Sequence, residues 1–117
     1  MNYKPGLHIL SEFKSAHHQL LKSFGAFRRH LDNLIIQHGL NKIGETYYDF
    51  ENGGFTAVIC LTESHISIHT WPEFELATFD VFLSNYRHEN DEKARAIYRS
   101  IIELYKATEL RKNEIKR

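Results

Sequence analysis

A single cysteine, Cys60, is all this chain offers for disulfide chemistry, so an internal disulfide framework is excluded and a reducing compartment fits. Charge of one sign is missing too: fifteen Lys and Arg face fifteen Asp and Glu, which removes any general attraction to nucleic acid. The locally basic stretch 111–117 reads as a solvated end. No apolar run approaches the roughly 20 residues that a membrane helix requires. Met1-Asn2-Tyr3-Lys4-Pro5 lacks the apolar centre of a signal peptide and leads straight into predicted structure, so the expected location is the cytoplasm. Two prolines and six glycines leave no linker, and there is neither a repeat nor a low-complexity tract.

What the chain does have is aromatic bulk, with eight Phe and six Tyr. Its 117 residues suffice for one domain, expected over 1–117, and a chain of this size buries only about two-thirds of its unfolded surface. Pairing with a second copy would add burial. Residues 6–13 read as a strand opened by Pro5-Gly6. Leu20, Phe24, Phe27, Leu31 and Leu34/Ile35 recur at helical steps and predict one amphipathic helix, with Gly25 inside it as a sign of close packing and Gly39 just past its end. Residues 42–50 alternate as a strand, and Asn52-Gly53-Gly54 signals a turn. Residues 55–61 are apolar on both parities, which predicts a central strand covered on both faces, with Cys60 as a small core residue. After a tight connection at 62–64, strands are expected at 65–70 and 75–83, interrupted by Pro72. Asn90 suits the N-cap of a second helix whose stripe is Ala94, Ile97, Tyr98, Ile101, Leu104 and Tyr105. Residues 107–116 fit either a frayed helix or a last edge strand. The expected fold class is α+β: a mainly antiparallel sheet with two helices packed on one face and the other face covered in a homodimer, each protomer a two-layer α/β sandwich.

The chemistry concentrates in Glu63-Ser64-His65-Ile66-Ser67-Ile68-His69-Thr70-Trp71-Pro72-Glu73. A serine whose hydroxyl is held against the preceding carbonyl can attack it and shift the acyl chain from nitrogen to oxygen. That step needs a positioned turn, donors for the developing oxyanion, and a base for the serine α-proton. Elimination of the ester and hydrolysis would leave a ketone at the head of the C-terminal fragment. A metal site built on His65 and His69 is excluded by geometry. On an extended strand they stand roughly 13 Å apart, too far to share one zinc ion. His17-His18 reads as solvent-facing, and His8 as either a buried, hydrogen-bonded strand histidine or a site residue.

This stretch resembles the self-cleavage site of the pyruvoyl-dependent S-adenosylmethionine decarboxylases in their short bacterial and archaeal form. Gly6-x-His8-x-x-x-Glu12-Phe13, the run Gly54-Phe55-Thr56-Ala57-Val58 and Asp80-Val81-Phe82 resemble further family segments at family spacing. The resemblance implies cleavage between Glu63 and Ser64, with Ser64 becoming a pyruvoyl cofactor that forms a Schiff base with substrate. It implies His69 as proton acceptor in processing, Thr56 as helper of the ester step, Glu73 on the substrate ribose and Phe50 against its adenine. It further implies a homodimer, and a decarboxylase supplying aminopropyl groups for spermidine. Ser84 stands where the family has its proton-donating cysteine, and a hydroxyl is a far weaker acid than a thiol. Asn85 stands where the family has glycine. Phe74-Glu75-Leu76 replaces the family's Tyr-Gly-Tyr, so Glu75 could meet the cation of a basic amino acid. Two alternatives follow from these departures: an ornithine or arginine decarboxylase on the same scaffold, or a non-catalytic homologue that binds a ligand or an active paralogue.

Overall fold

A computed structural model describes residues 3–117; of the Met1–Pro5 stretch, Met1 and Asn2 lie outside the described residues. In chain order the elements are β1 (Leu7–Lys14), α1 (His18–Lys22), α2 (Gly25–Gln37), β2 (Lys42–Asp49), β3 (Phe55–Leu61), β4 (Ser64–Trp71), a 3₁₀ turn (Pro72–Phe74), β5 (Leu76–Leu83), α3 (Asp91–Leu104) and β6 (Thr108–Lys116). The six strands form one sheet in the order β2-β3-β4-β5-β1-β6, antiparallel at every junction. The α+β expectation therefore stands, with three helices rather than two.

The expected single first helix is broken. Ser23 adopts extended backbone (φ −142°, ψ 157°). The Gly54 amide takes the Lys22 carbonyl, and the Phe24 amide donates to Asp49 Oδ1. The β2–β3 turn thus claims the groups that would have continued the helix. Gly25 opens α2 instead of lying inside a helix, and only the Arg29 side chain comes near the position its Cβ would take. Residues 107–116 resolve as an edge strand, exposed along its whole length and held to β1 by backbone pairing.

The core lies between the sheet and the helices. Ile9 and Phe13 of β1, Ile59 of β3, Ile66 and Ile68 of β4, and Phe79 and Val81 of β5 are fully buried against Phe27, Leu31, Ile97 and Ile101. Burying this much apolar surface is the main force holding the layers together. One buried hydroxyl ties α1 to that sheet: Thr70 Oγ1 accepts from the Phe55 amide at 2.8 Å and donates to the Leu21 carbonyl at 2.7 Å. Gly54 lies beside it at φ 93°, where a Cβ would stand 3.0 Å from the Thr70 carbonyl oxygen, so glycine is required on both counts.

Because successive strand residues face opposite ways, the second sheet face carries Thr56, Val58 and Cys60 of β3, His65, Ser67 and His69 of β4, and Thr78, Asp80 and Phe82 of β5. No helix covers it. The expectation that β3 is covered on both faces is overturned within this chain: Val58 and Cys60 are exposed. Their apolar character marks a face without a cover here, and Cys60 is not a core residue. Among the described residues no helix is long and apolar enough to cross a membrane.

Candidate functional site

β3 and β4 are joined by Thr62-Glu63, and Ser64 starts β4 opposite Leu61 on one side and Leu83 on the other. Ser64 has φ 136°, a region L-residues rarely enter, and the strain falls on the residue just after the bond in question. The carbonyl oxygen of Glu63 accepts the backbone N–H of Ser84 at 2.7 Å. This bond carries the β4–β5 ladder one step past its last paired residues. The Glu63 carboxylate accepts the Asn41 amide at 3.2 Å and its side-chain nitrogen at 3.4 Å. A cavity of about 370 Å³ opens beside this turn, with Glu63, Ser84 and Arg87 in its wall.

At the same end of the open face, cross-strand pairing sets Cys60, His65, Phe82 and His8 in one row. His65 meets His8 and Phe82 edge-on, at centroid distances of 6.0 and 5.7 Å. His8 is buried, as expected for a strand histidine. Burial lowers its imidazole below the usual 6.5; Asp80 pulls it upward, while Arg117 and His65 add to the depression. Arg117 donates to His8 Nδ1 at 3.3 Å, which requires that nitrogen unprotonated and agrees with a neutral ring.

The other end of the face gathers the remaining residues singled out in the sequence. Thr56 and His69 are cross-strand partners, and the threonine hydroxyl hydrogen-bonds to His69 Nδ1. Phe50 packs edge-on against Tyr48 and, with Trp71 and Glu73, lines a groove of about 450 Å³. Glu75 closes the 3₁₀ turn in the left-handed region (φ 53°), so β5 begins at Leu76 and not at Glu75. Its carboxylate is engaged by His18 Nε2 at 2.9 Å, both side chains being half-exposed.

The structure therefore brings Ser64, Glu63 and Ser84 together at one end and Thr56, His69, Phe50 and Glu73 at the other. It does not bring the two groups to each other: Ser64 and His69 lie five residues apart on one extended strand, roughly 17 Å. Among the described residues no group of three or more His, Cys, Asp and Glu could hold a metal ion. Three asparagines matter here beyond what the sequence reading assigned them. Asn41 grips Glu63, and Asn85 and Asn90 surround the Ser84 peptide. Asn90 does sit at the N-cap of α3, but its side chain makes no cap bond and turns to the Ser84 carbonyl instead. Its buried position beside an irregular loop is invisible in composition.

Residues 7–117 match the sequence profile of the family described as S-adenosylmethionine decarboxylase. Proteins named S-adenosylmethionine decarboxylase proenzyme align from Hydrogenobaculum sp. at 44% identity and from Aquifex aeolicus at 43%, each over 77 residues and 66% of this chain. The aligned stretches span 58% and 57% of those two relatives. The proenzyme of that name from Picrophilus torridus is 34% identical over 78% of this chain and 70% of its own length. A crystal structure of the adenosylmethionine decarboxylase from Aquifex aeolicus superposes with a TM-score of 0.79 at 32% identity, covering 99% of this chain and 91% of that one.

Proposed function

This chain belongs to the S-adenosylmethionine decarboxylase family, and we propose that it is a self-cleaving proenzyme whose mature form decarboxylates S-adenosylmethionine in the cytoplasm. The observation that carries the reading is the backbone at Glu63–Ser64. A strained serine follows a carbonyl whose oxygen already accepts the Ser84 amide. Attack of the Ser64 hydroxyl on that carbonyl would put negative charge on an oxygen with a donor in place, which is how such charge is best stabilised. Passage to the ester releases Ser64 from its unfavourable φ as the peptide bond breaks.

These residues fit a pyruvoyl group built from Ser64. When present, that group supplies a ketone which condenses with a substrate amine and draws electrons from the carbon losing carbon dioxide. At the same end of the sheet His65, Phe82 and His8 form an aromatic cluster, and Ser84 offers a hydroxyl in the place of the family's acid. Phe50, Trp71 and Glu73 offer an aromatic surface and a carboxylate for an adenosine moiety, at the far end of the same face.

The separation of the two ends supports a homodimer. Two copies packed open face to open face, in opposite directions, would set the Ser64 end of one against the His69 end of the other, each site drawing on both chains. Exposed Val58, Trp71 and Phe50 provide apolar surface for such a contact. The basic-amino-acid alternative rested on a free carboxylate at Glu75, and His18 already engages it. Carbon dioxide release from S-adenosylmethionine, ornithine and arginine in parallel separates the substrates.

The intact mass of purified protein tests the reading. Two fragments, 1–63 and 64–117, are expected, with masses that sum to the chain after one ammonia is exchanged for one water. Borohydride in the presence of substrate should trap adduct on the C-terminal fragment. A single uncut species without carbonyl reactivity would leave a family member of the non-catalytic kind.

A further inference from the structure

Self-cleavage as proposed above depends on where the Ser84 N–H points, and that residue lies past the last pair of the β4–β5 ladder. We infer that two buried asparagines and a glycine aim it: Asn85, Asn90 and Gly6 are positioning residues for the attack on the Glu63 carbonyl. This inference rests on the self-cleavage reading.

The Ser84 peptide is gripped on both sides. Its N–H meets Glu63, and its carbonyl accepts Asn90 Nδ2 at 2.9 Å. Asn85 Oδ1 accepts the Asn90 amide at 2.6 Å. Asn85 Nδ2 donates to the Pro5 carbonyl at 3.0 Å and to Asp91 Oδ1 at 2.8 Å. Asp91 is in turn held by Lys116 of β6 at 2.6 Å. The loop end is thereby lashed to the start of β1, the start of α3 and the end of β6. Both asparagines are 4% exposed, so water cannot substitute freely for these bonds. Gly6 completes the frame from below: a Cβ there would stand 2.4 Å from the Leu83 carbonyl oxygen and 2.9 Å from Ser84 Cα. Any side chain at this position pushes the Ser84 backbone away. The lash runs through the side-chain amide of Asn85, which a glycine at that position could not supply. It holds the main chain of Ser84 in place irrespective of what the side chain of that residue does.

Asn90→Asp separates aiming from mere support. The Asn90 side chain makes no bond to the helix start, so Asn90→Asp leaves the backbone bond from the Ala94 amide to the residue-90 carbonyl in place and α3 keeps its start. When ionised it has no proton for the Ser84 carbonyl; when protonated it does. Cleavage of freshly translated full-length chain, followed by mass between pH 5 and 8, should slow on the order of tenfold or more in Asn90→Asp at the upper end. The rate should recover as the pH falls, a recovery absent from the unsubstituted chain. Gly6→Ala should slow cleavage at every pH. Melting temperatures of both variants in an uncleavable Ser64→Ala background report folding separately. Unchanged rates in both variants overturn the inference. So does a rate loss that follows the melting temperature without recovery in acid. If the unsubstituted chain itself stays intact, the self-cleavage reading falls and takes this inference with it; if it cuts while the variants cut equally fast, only the inference falls.

Discussion

Ser64 combines a φ of 136° with a hydroxyl on the residue that follows a carbonyl already accepting the Ser84 amide, and the two properties respond to different substitutions. Ser64→Ala should leave a single 13.8 kDa chain that keeps the strain. Ser64→Gly should be equally uncut but more stable than Ser64→Ala by about 1 kcal/mol, since glycine alone occupies that backbone region freely; urea denaturation of the two compares them directly. Ser84 is a separate matter, because in the proposed cleavage its backbone acts whatever its side chain is. Ser84→Cys should therefore cut at an unchanged rate yet raise release of carbon dioxide from S-adenosylmethionine, on the order of tenfold or more, by restoring an acid of useful strength. At this scale the sequence pointed to the hydroxyl proposed to react and was poor about its surroundings. Glu63-Ser64 declares itself by type and order, whereas Asn85 and Asn90 act through buried contacts that no spacing announces.

Among the elements, the turn that breaks the first helix shows why some boundaries were unreadable. The apolar stripe from Leu20 to Ile35 is continuous, and nothing local stops it at Ser23. The stop comes from the Gly54 amide and the Asp49 carboxylate, brought in by strands far along the chain. By contrast β4 and α3 were legible, the first from alternation and the second from a clear stripe beginning after Asn90. β6 has neither period nor burial to reveal it, since backbone pairing with β1 is what holds it. Thr70 joins α1, β3 and β4 through one hydroxyl. Thr70→Val keeps the volume but strands the Phe55 N–H and the Leu21 carbonyl, and should destabilise the fold by roughly 1–3 kcal/mol. Denaturation of the uncut chain measures it.

For the molecule as a whole, acid should unfold it in two stages. His8 and His38 are both held below their usual 6.5 by burial, helped at His38 by Lys93. The unfolded chain binds protons there while the folded chain resists, so stability is complete above about pH 6.5 and declines as the pH falls toward the lowered folded values. Glu45, held down by Lys42 with help from Arg28, and Glu114, held down by Arg95, add a second loss below about pH 4.5. Urea midpoints of the uncut chain across pH 4–8 should show both limbs, and His8→Gln should flatten the first. The proposed shared-site dimer makes a further demand. Ser64→Ala and His69→Ala should each stay intact alone, yet after co-expression the His69→Ala chains should cut, because their partners supply the missing imidazole; failure of that rescue removes the two-chain site. Finally, the strand order fixes what a cut between Glu63 and Ser64 does to the sheet. β1, β2 and β3 would belong to one fragment and β4, β5 and β6 to the other, yet β1 sits between β5 and β6. The two polypeptides would be interleaved like shuffled cards: neither piece could leave without unzipping the other, so the proposed maturation would sever the chain while the molecule survives undivided.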